Sequence, residues 1–294
     1  MSRSLRPKQF VHLNENGSFF QQALKRVYPS GDSALHIEKP LIISNRQHTD
    51  LIKAQGQEAG VEFQAIIAEP LRRDSGPAIA LAAQFVEQRF ENAQLLILAS
   101  DHIIEDPDPL WRAIEEGCQF VDQGYHLTFG ITPKHPETGY GYIEVGGAMP
   151  GSDYVKQAAS FREKPDVETA KAYIETGRFC WNSGLFLFKA SKVLDDLRQF
   201  EPEVFSSCKR ALDQAKTSHQ VVAVDEEAFA ESPSISIDYA MMERSEKVAV
   251  APISMAWHDV GGWRALFDLV KKPDDSNSTR GQVFTLDSHA SLLW

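Results

Sequence analysis

Apolar positions gather into four short runs: "LIIS" (41–44), "FQAIIA" (63–68), "LLILA" (95–99) and "LTFGI" (127–131). A run of this length without apolar/polar alternation fits a strand covered by helices on both faces, as in a parallel sheet. The intervening segments carry helical periodicity. In "DSGPAIALAAQFVEQRF", Asp74 or Ser75 can cap, Pro77 fits the first turn, and the Ala- and Leu-rich run favours helix. "DPDPLWRAIEEGCQFVDQG" repeats the plan, with Pro109 near its start and Gly124 as its stop. This alternation predicts an α/β fold. Beyond residue 132 the texture changes to short strands and turns, and further helices are expected at 166–177, 202–215 and 238–244. Strands are expected at 248–253 and around Gln282 to Leu286. No long linker, repeat or low-complexity block interrupts the chain, so one unit with a lobe over the open edge of a mixed sheet is expected.

Composition narrows the function classes. The 294 residues are 43% apolar and 24% charged, which is ordinary for a folded soluble chain, and the net charge of −11 argues against a nucleic-acid-wrapping surface. A local basic pocket for a small anion remains compatible with that charge. No stretch has the length of a membrane-spanning helix and the polar start "MSRSLRPKQF" lacks a signal-peptide core, so no membrane partner and a cytoplasmic location are expected. Cys118, Cys180 and Cys208 are odd in number and far apart, which fits reduced thiols.

Candidate chemistry lies where apolar runs end on polar groups. Asp101 follows "LLILAS", at the sheet rim where open α/β folds bind ligands; a turn or helix-start Asp explains it equally. "AWHDVGGW" places Asp259 at the end of a short strand, and two such acids from remote segments could share a divalent metal. His102 and His258 adjoin these acids but are not counted as ligands. In "FREKP", Arg162, Glu163 and Lys164 alternate in direction, so at least one charge can face a cleft; an exposed edge is the plain alternative. Asn182 and Ser183 stand between Trp181 and an apolar run, suited to sugar hydroxyls or to a simple turn. "GYGYIEVGG" reads as a hairpin turn rather than a dinucleotide loop. Arg3, Arg6 and Lys8, and separately Arg72 and Arg73, could neutralise phosphate or be plain surface. Neither a P-loop nor a Gly-x-Ser-x-Gly elbow occurs.

Eight segments in order, "RPKQF", "EPLRRDSGPAIALAA", "ASDHIIED", "FGITPKHPETGYGYIE", "FREKP", "WNSGLFLFKAS", "SISIDYAMME" and "WHDVGGW", resemble the bacterial-type mannose-1-phosphate guanylyltransferases, or GDP-mannose pyrophosphorylases. The resemblance implies a Rossmann-like nucleotidyltransferase fold, a mixed and mostly parallel sheet flanked by helices. It also implies one nucleotidyltransferase domain over 1–294, with a nucleotide-binding portion at about 1–131 and a sugar-binding portion at about 132–270. The implied reaction joins GTP and mannose 1-phosphate into GDP-mannose and pyrophosphate with Mg2+ or a similar divalent cation. Homo-oligomerisation is left open. By the same resemblance, Asp101 and Asp259 hold the metal, Lys8 contacts nucleotide phosphates and Lys164 the sugar phosphate. Glu163 and Asn182 meet mannose hydroxyls, Gly141 permits close approach of the sugar nucleotide, and Asp238 lines the pocket. His102 and His258 become supporting residues.

The resemblance also marks departures. Relatives open with an apolar strand and a loop of the form "GGSGTRLWPLS", whereas this chain starts at "MSRSLRPKQF", where that loop is finishing, so an N-terminally incomplete fold is expected. "RRDSGPA" stands where relatives read "GRNTAPA", and the chain stops before the isomerase domain of bifunctional relatives. Two alternatives accompany this assignment: a nucleotidyltransferase for another sugar 1-phosphate such as glucose 1-phosphate, and a catalytically silent sugar-nucleotide binder.

Overall fold

The computed structural model describes residues 7–14, 17–261, 277–279, 282–289 and 291–293. Arg3 and Arg6 lie outside them. A turn at Lys8–Phe10 is anchored by Phe10, which is buried against Phe20 with ring centroids 5.5 Å apart and whose carbonyl accepts from Gln55 Nε2 at 3.1 Å. β1 (His12–Asn14) and β2 (Gly17–Ser18) then pair antiparallel and lead into α1 (Phe19–Lys25). A reciprocal cap starts α1: Ser18 Oγ accepts from Gln21 N at 3.1 Å, and Gln21 Oε1 accepts from Ser18 N at 2.9 Å. The helix hands Arg26 to the interior at its C-terminal end.

The predicted α/β alternation follows, as β3 (Leu41–Asn45), α2 (Thr49–Ala59), β4 (Ala65–Glu69), α3 (Ser75–Glu87), β5 (Gln94–Ile97), β6 (His102–Ile104), α4 (Asp108–Asp122) and β7 (His126–Ile131). Asp74 caps α3, its carboxylate accepting from Ser75 N at 2.7 Å, and the helix's small residues let it lie close to its neighbours. A Cβ at Gly76 would stand 2.6 Å from the Ile235 carbonyl oxygen. The second half comprises β8 (Tyr142–Ala148), β9 (Lys156–Arg162), α5 (Val167–Thr176), β10 (Phe179–Lys189), α6 (Ala190–Phe200) and α7 (Pro202–Asp213). It continues with β11 (Lys216–Ser218), β12 (Val221–Ala223), α8 (Glu226–Ala230), a wide helical turn at Asp238–Met242, β13 (Val248–Ile253) and β14 (Trp257–Asp259). The expected strand at 282–286 does not form; β15 (Ser278–Thr279) pairs with β16 (Leu292–Leu293) instead. Phe284 is 99% exposed and Leu286 88%, so that apolar run is not packed among the described residues.

Two larger sheets frame the molecule. The larger has the order β5-β10-β7-β13-β9-β8, with β10 also pairing β8; the smaller has the order β11-β12-β4-β3. The expected mixed sheet flanked by helices is present, but its larger part is not mostly parallel. β10 runs antiparallel to β5, β7 and β8, and β7–β13 is the parallel contact in that sheet among the described residues. β5, expected to have parallel neighbours, is among the described residues an edge strand with one antiparallel partner. Cover on both faces, rather than strand direction, explains its unbroken apolar character: Leu95 joins the core around α3, α6 and α7, while Leu96 packs on the core around α4.

β3 likewise ends its sheet, paired with β4 alone among the described residues. Between these two edges lies a cavity of about 1480 Å3, walled by Leu41–Ser44, Gln94–Asp101 and apolar side chains such as Leu24, Ile79 and Ile114. Among the described residues no helix is long and apolar enough to cross a membrane. All three cysteines are free, and burial pushes their thiols up to about 11 at Cys118 and Cys180 and about 12 at Cys208.

Candidate functional site

Asp101 lies in the turn between β5 and β6, and Asp259 ends β14. The antiparallel pairing of β6 with β14 sets Asp259 opposite His102, so the two acids, 158 positions apart in sequence, meet at one rim. Lys8 Nζ reaches Asp101 Oδ2 at 2.8 Å and donates to the Val260 carbonyl at 2.8 Å, tying the chain start to both acidic segments. His102 is buried, its Nδ1 accepting from Trp257 Nε1 at 3.3 Å, and burial holds its pKa below the ordinary histidine value. His258, on the next residue of β14, is exposed. Neither histidine is placed as a ligand: one fastens β6 to Trp257, the other faces solvent.

Arg26 gave no sequence signal, because it ends an ordinary short helix. Its Nη2 donates to the His102 carbonyl at 2.7 Å; burial brings its pKa down to about 10, with Asp101 opposing that shift. Arg26→Met is expected to leave that carbonyl without its donor at a cost of roughly 1–3 kcal/mol, read as a thermal midpoint several degrees lower. An unchanged midpoint would contradict this role.

The other candidates converge on the large cavity. Gly141, Glu163, Lys164, Asn182 and Asp238 line it together with Asp101 and Asp259. Asn182 sits where β10 departs from regular pairing, between Asn182 and Phe186, and Gly184 adopts φ +66° to allow that break. Its side-chain amide is held at both ends, Asn182 Nδ2 donating to Asp238 Oδ1 at 2.7 Å and Gly184 N to Asn182 Oδ1 at 3.2 Å, while the backbone Asn182 N donates to the Gly141 carbonyl at 2.7 Å. A Cβ on Gly141 would stand 2.7 Å from Glu163 Oε1, the free end of a side chain that would have to swing aside. Burial raises the pKa of both Glu163 and Asp238; Asp238 adds to the rise at Glu163 and Lys164 opposes it. Tyr140, which the sequence did not single out, stacks edgewise on Trp181 and Trp257 at 5.4 and 5.2 Å, and burial, followed by Asp259, pushes its phenol up to about 12.

A second cavity of about 350 Å3 adjoins Lys8 and is lined by Ser44, Asn45, His48, Glu69, Arg72 and Gly261. Arg72 therefore faces a pocket, whereas Arg73 donates to the Ala230 carbonyl at 2.5 Å and is structural. Glu69 escaped the sequence reasoning, although "AIIAEP" shows the same apolar run closing on an acid that drew attention to Asp101.

Among the described residues no three His, Cys, Asp or Glu side chains converge as an all-protein metal cage. Two carboxylates at one rim nevertheless suit a hard cation such as Mg2+, which is commonly held by one or two carboxylates plus substrate phosphates and water.

The Nucleotidyl transferase family model matches residues 1–276. Mannose-1-phosphate guanylyltransferase RfbM of Salmonella typhimurium is 38% identical over 97% of this chain, and Alginate biosynthesis protein AlgA of Pseudomonas aeruginosa is 35% identical over 100% of it. The chain spans 58% and 60% of the lengths of these two relatives. A solved Thermus thermophilus structure, titled a mannose-1-phosphate geranyltransferase, superposes with a TM-score of 0.80 at 29% identity, covering 99% of this chain and 82% of that one. The fold also matches UDP-glucose pyrophosphorylase from Acinetobacter baumanii, with a TM-score of 0.54 at 15% identity over 90% of this chain and 86% of the other. With the family model matching most of the chain, the protein belongs to the nucleotidyl transferase family.

Proposed function

We propose that this chain transfers GMP from GTP to mannose 1-phosphate, giving GDP-mannose and pyrophosphate with the help of a divalent cation. The observation that carries this reading is one cavity lined by Asp101, Asp259, Glu163, Lys164 and Asn182, with Lys8 paired to Asp101 beside it. Anion-neutralising groups thus stand beside a polar pocket suited to hydroxyls. Residues at about 1–131 serve the nucleotide and those at about 132–270 the sugar, in a cytoplasmic setting.

In this mechanism the phosphate oxygen of mannose 1-phosphate is already a nucleophile, so no side chain need remove a proton from it. The difficulty is bringing two polyanions together and stabilising charge as pyrophosphate departs. Lys164 holds the sugar phosphate, and Glu163 and Asn182 orient the ring through its hydroxyls. Asn182 is pre-set for this by its bonds to Asp238, Gly184 and Gly141. Lys8 neutralises the nucleotide phosphates. Asp101 and Asp259 would hold the cation, which when bound offsets phosphate charge and polarises phosphorus.

Pyrophosphate release from GTP and mannose 1-phosphate, compared with glucose 1-phosphate, tests the reaction directly. Turnover with glucose 1-phosphate alone would favour the other-sugar reading. Binding of both substrates without turnover would favour a silent binder, a reading motivated by the unpaired edges of β3 and β5. On the sugar side, Glu163→Gln and Lys164→Ala are each expected to weaken mannose 1-phosphate binding by roughly tenfold or more, as for loss of a charge-assisted hydrogen bond. GTP affinity should be unchanged. Selective loss of GTP binding would reverse the assignment.

A further inference from the structure

The proposed reaction leaves unused one buried cluster of titratable groups. His126 opens β7 and Asp196 lies on α6, and both are closed to solvent, at 0% and 3% exposure. An ionised carboxylate only accepts, so His126 Nε2 donates to Asp196 Oδ2, at 2.6 Å. Lys192, one turn earlier on α6, donates to Asp196 Oδ1. The strands beside the imidazole offer it apolar neighbours: Phe188 of β10 stands edge-on at 5.2 Å, and Val248 of β13 lies across the sheet. The Lys247 carbonyl accepts from His126 N, but its ammonium turns to the Gln123 carbonyl and the Tyr125 ring. Asp195 and Arg198, the remaining charges of α6, pair with each other in solvent. Asp196 and Lys192 are thus the charges that act on His126.

Lys192 and Asp196 cancel, so the cluster is neutral only while the imidazole is neutral. A proton added at Nδ1 would bring an uncompensated charge into a dry interior, at an atom with no hydrogen-bond partner among the described residues. We infer that His126, Asp196 and Lys192 form an acid-sensitive latch between β7 and α6, firm while the imidazole is neutral and weakened when it takes up a proton. The latch goes beyond the transfer reaction and does not depend on it. Burial holds His126 below the ordinary histidine value, with Asp196 opposing that shift and Lys192 reinforcing it. The opened chain therefore binds a proton below about pH 6.5 and the closed one does not. The latch's contribution is present above that pH and lost as pH falls below it. What it holds bears on the large cavity. α6 packs on the turn at Asp238–Met242, Val193 and Leu197 sharing a core with Met241 and Met242. Beyond that turn, Arg244 pairs with Glu201 at the end of α6. Asp238 accepts from Asn182 Nδ2, so slackening α6 loosens one wall of the cavity.

Amide protection factors, which remove the intrinsic pH dependence of exchange, test this from about pH 8 down to about pH 5, across the ordinary histidine value. In the wild type, protection in α6 and the Asp238–Met242 turn is expected to fall by up to about tenfold per pH unit below about 6.5, one proton being taken up on opening. His48 and His102 are buried as well, so the variants carry the comparison. His126→Gln keeps a donor and cannot titrate, and it should remove the fall in these two elements. Lys192→Met leaves an imidazolium the whole charge of Asp196 and should reduce the fall. A His126→Gln protein with the wild-type slope at α6, or a Lys192→Met protein with an equal or steeper one, overturns the latch. So does a wild-type fall no larger at α6 than at α4. If His126→Gln does not fold, the imidazole nitrogen shifts of the wild type at neutral pH decide: a neutral ring with its proton on Nε2 supports the latch, and a charged ring overturns it. None of these readings uses a substrate, so failure of the transfer reaction would leave the test intact.

Discussion

Asp101→Asn is expected to cut GTP-dependent turnover by roughly 100- to 1,000-fold, the scale seen when one group stabilising transition-state charge is removed, and Asp259→Asn to do the same. The substitution removes charge while keeping shape, so under the proposed mechanism the cation would lose a ligand and with it part of its hold on the phosphates. Fold should hardly change. Asp101 is 30% and Lys8 20% exposed at the side chain, so breaking their 2.8 Å ion pair leaves both ends with access to water. Circular dichroism and magnesium-dependent pyrophosphate release, measured on the same preparations, separate these effects. An Asp101→Asn protein with full turnover would remove the acid from the mechanism, and one that has lost its fold would show the residue to be structural.

The second large effect concerns the furrow between β3 and β5. Adding before Met1 an apolar strand and a glycine-rich turn, of the kind the resemblance implies, is expected to raise the thermal midpoint by about 10 °C or more and to raise turnover. A central strand would satisfy two rows of backbone groups at once, each bond worth roughly 0.5–1.5 kcal/mol net, and bury the partly exposed faces of Leu41, Ile43 and Ile97. The turn would contribute converging N–H donors near Lys8, which alone supplies only a point charge. Thermal melts and pyrophosphate release on both forms, with amide exchange at Ile42 and Leu96, check this. Equal stability and activity would mean that the existing edges need no partner, and exchange that does not slow would mean that the added segment docks elsewhere.

How much of this was visible in the sequence differs from residue to residue. The runs at 41–44, 63–68, 95–99 and 127–131 correspond to β3, β4, β5 and β7, because apolar contact on both faces leaves an unalternating run whatever the strand direction. Direction itself was not legible. "LLILA" reads the same whether its neighbour is parallel or, as with β10, antiparallel, since pairing is set by residues some 90 positions away. The candidate acids were marked by position at the ends of apolar runs, and their meeting depends on the β6–β14 register. Glu69 carried that same mark, but the proline after it makes the segment read as a plain turn. Arg26 could not have been found this way: its importance comes from one long-range contact, to the His102 carbonyl, that leaves no periodic trace. Near the other end, "QVFTL" has strand-like composition but pairs with no strand among the described residues, so composition misled.

Lys164 has φ +40°, in the region where glycine is at ease and a lysine is not. For an L-residue with a Cβ, that conformation costs on the order of 1 kcal/mol. Position 164 is therefore one where durability and usefulness are opposed: a search for heat-resistant variants would drift towards glycine, while a search for turnover would hold the lysine. Selection on stability alone would wear away this part of the cleft while leaving the surrounding sheet intact.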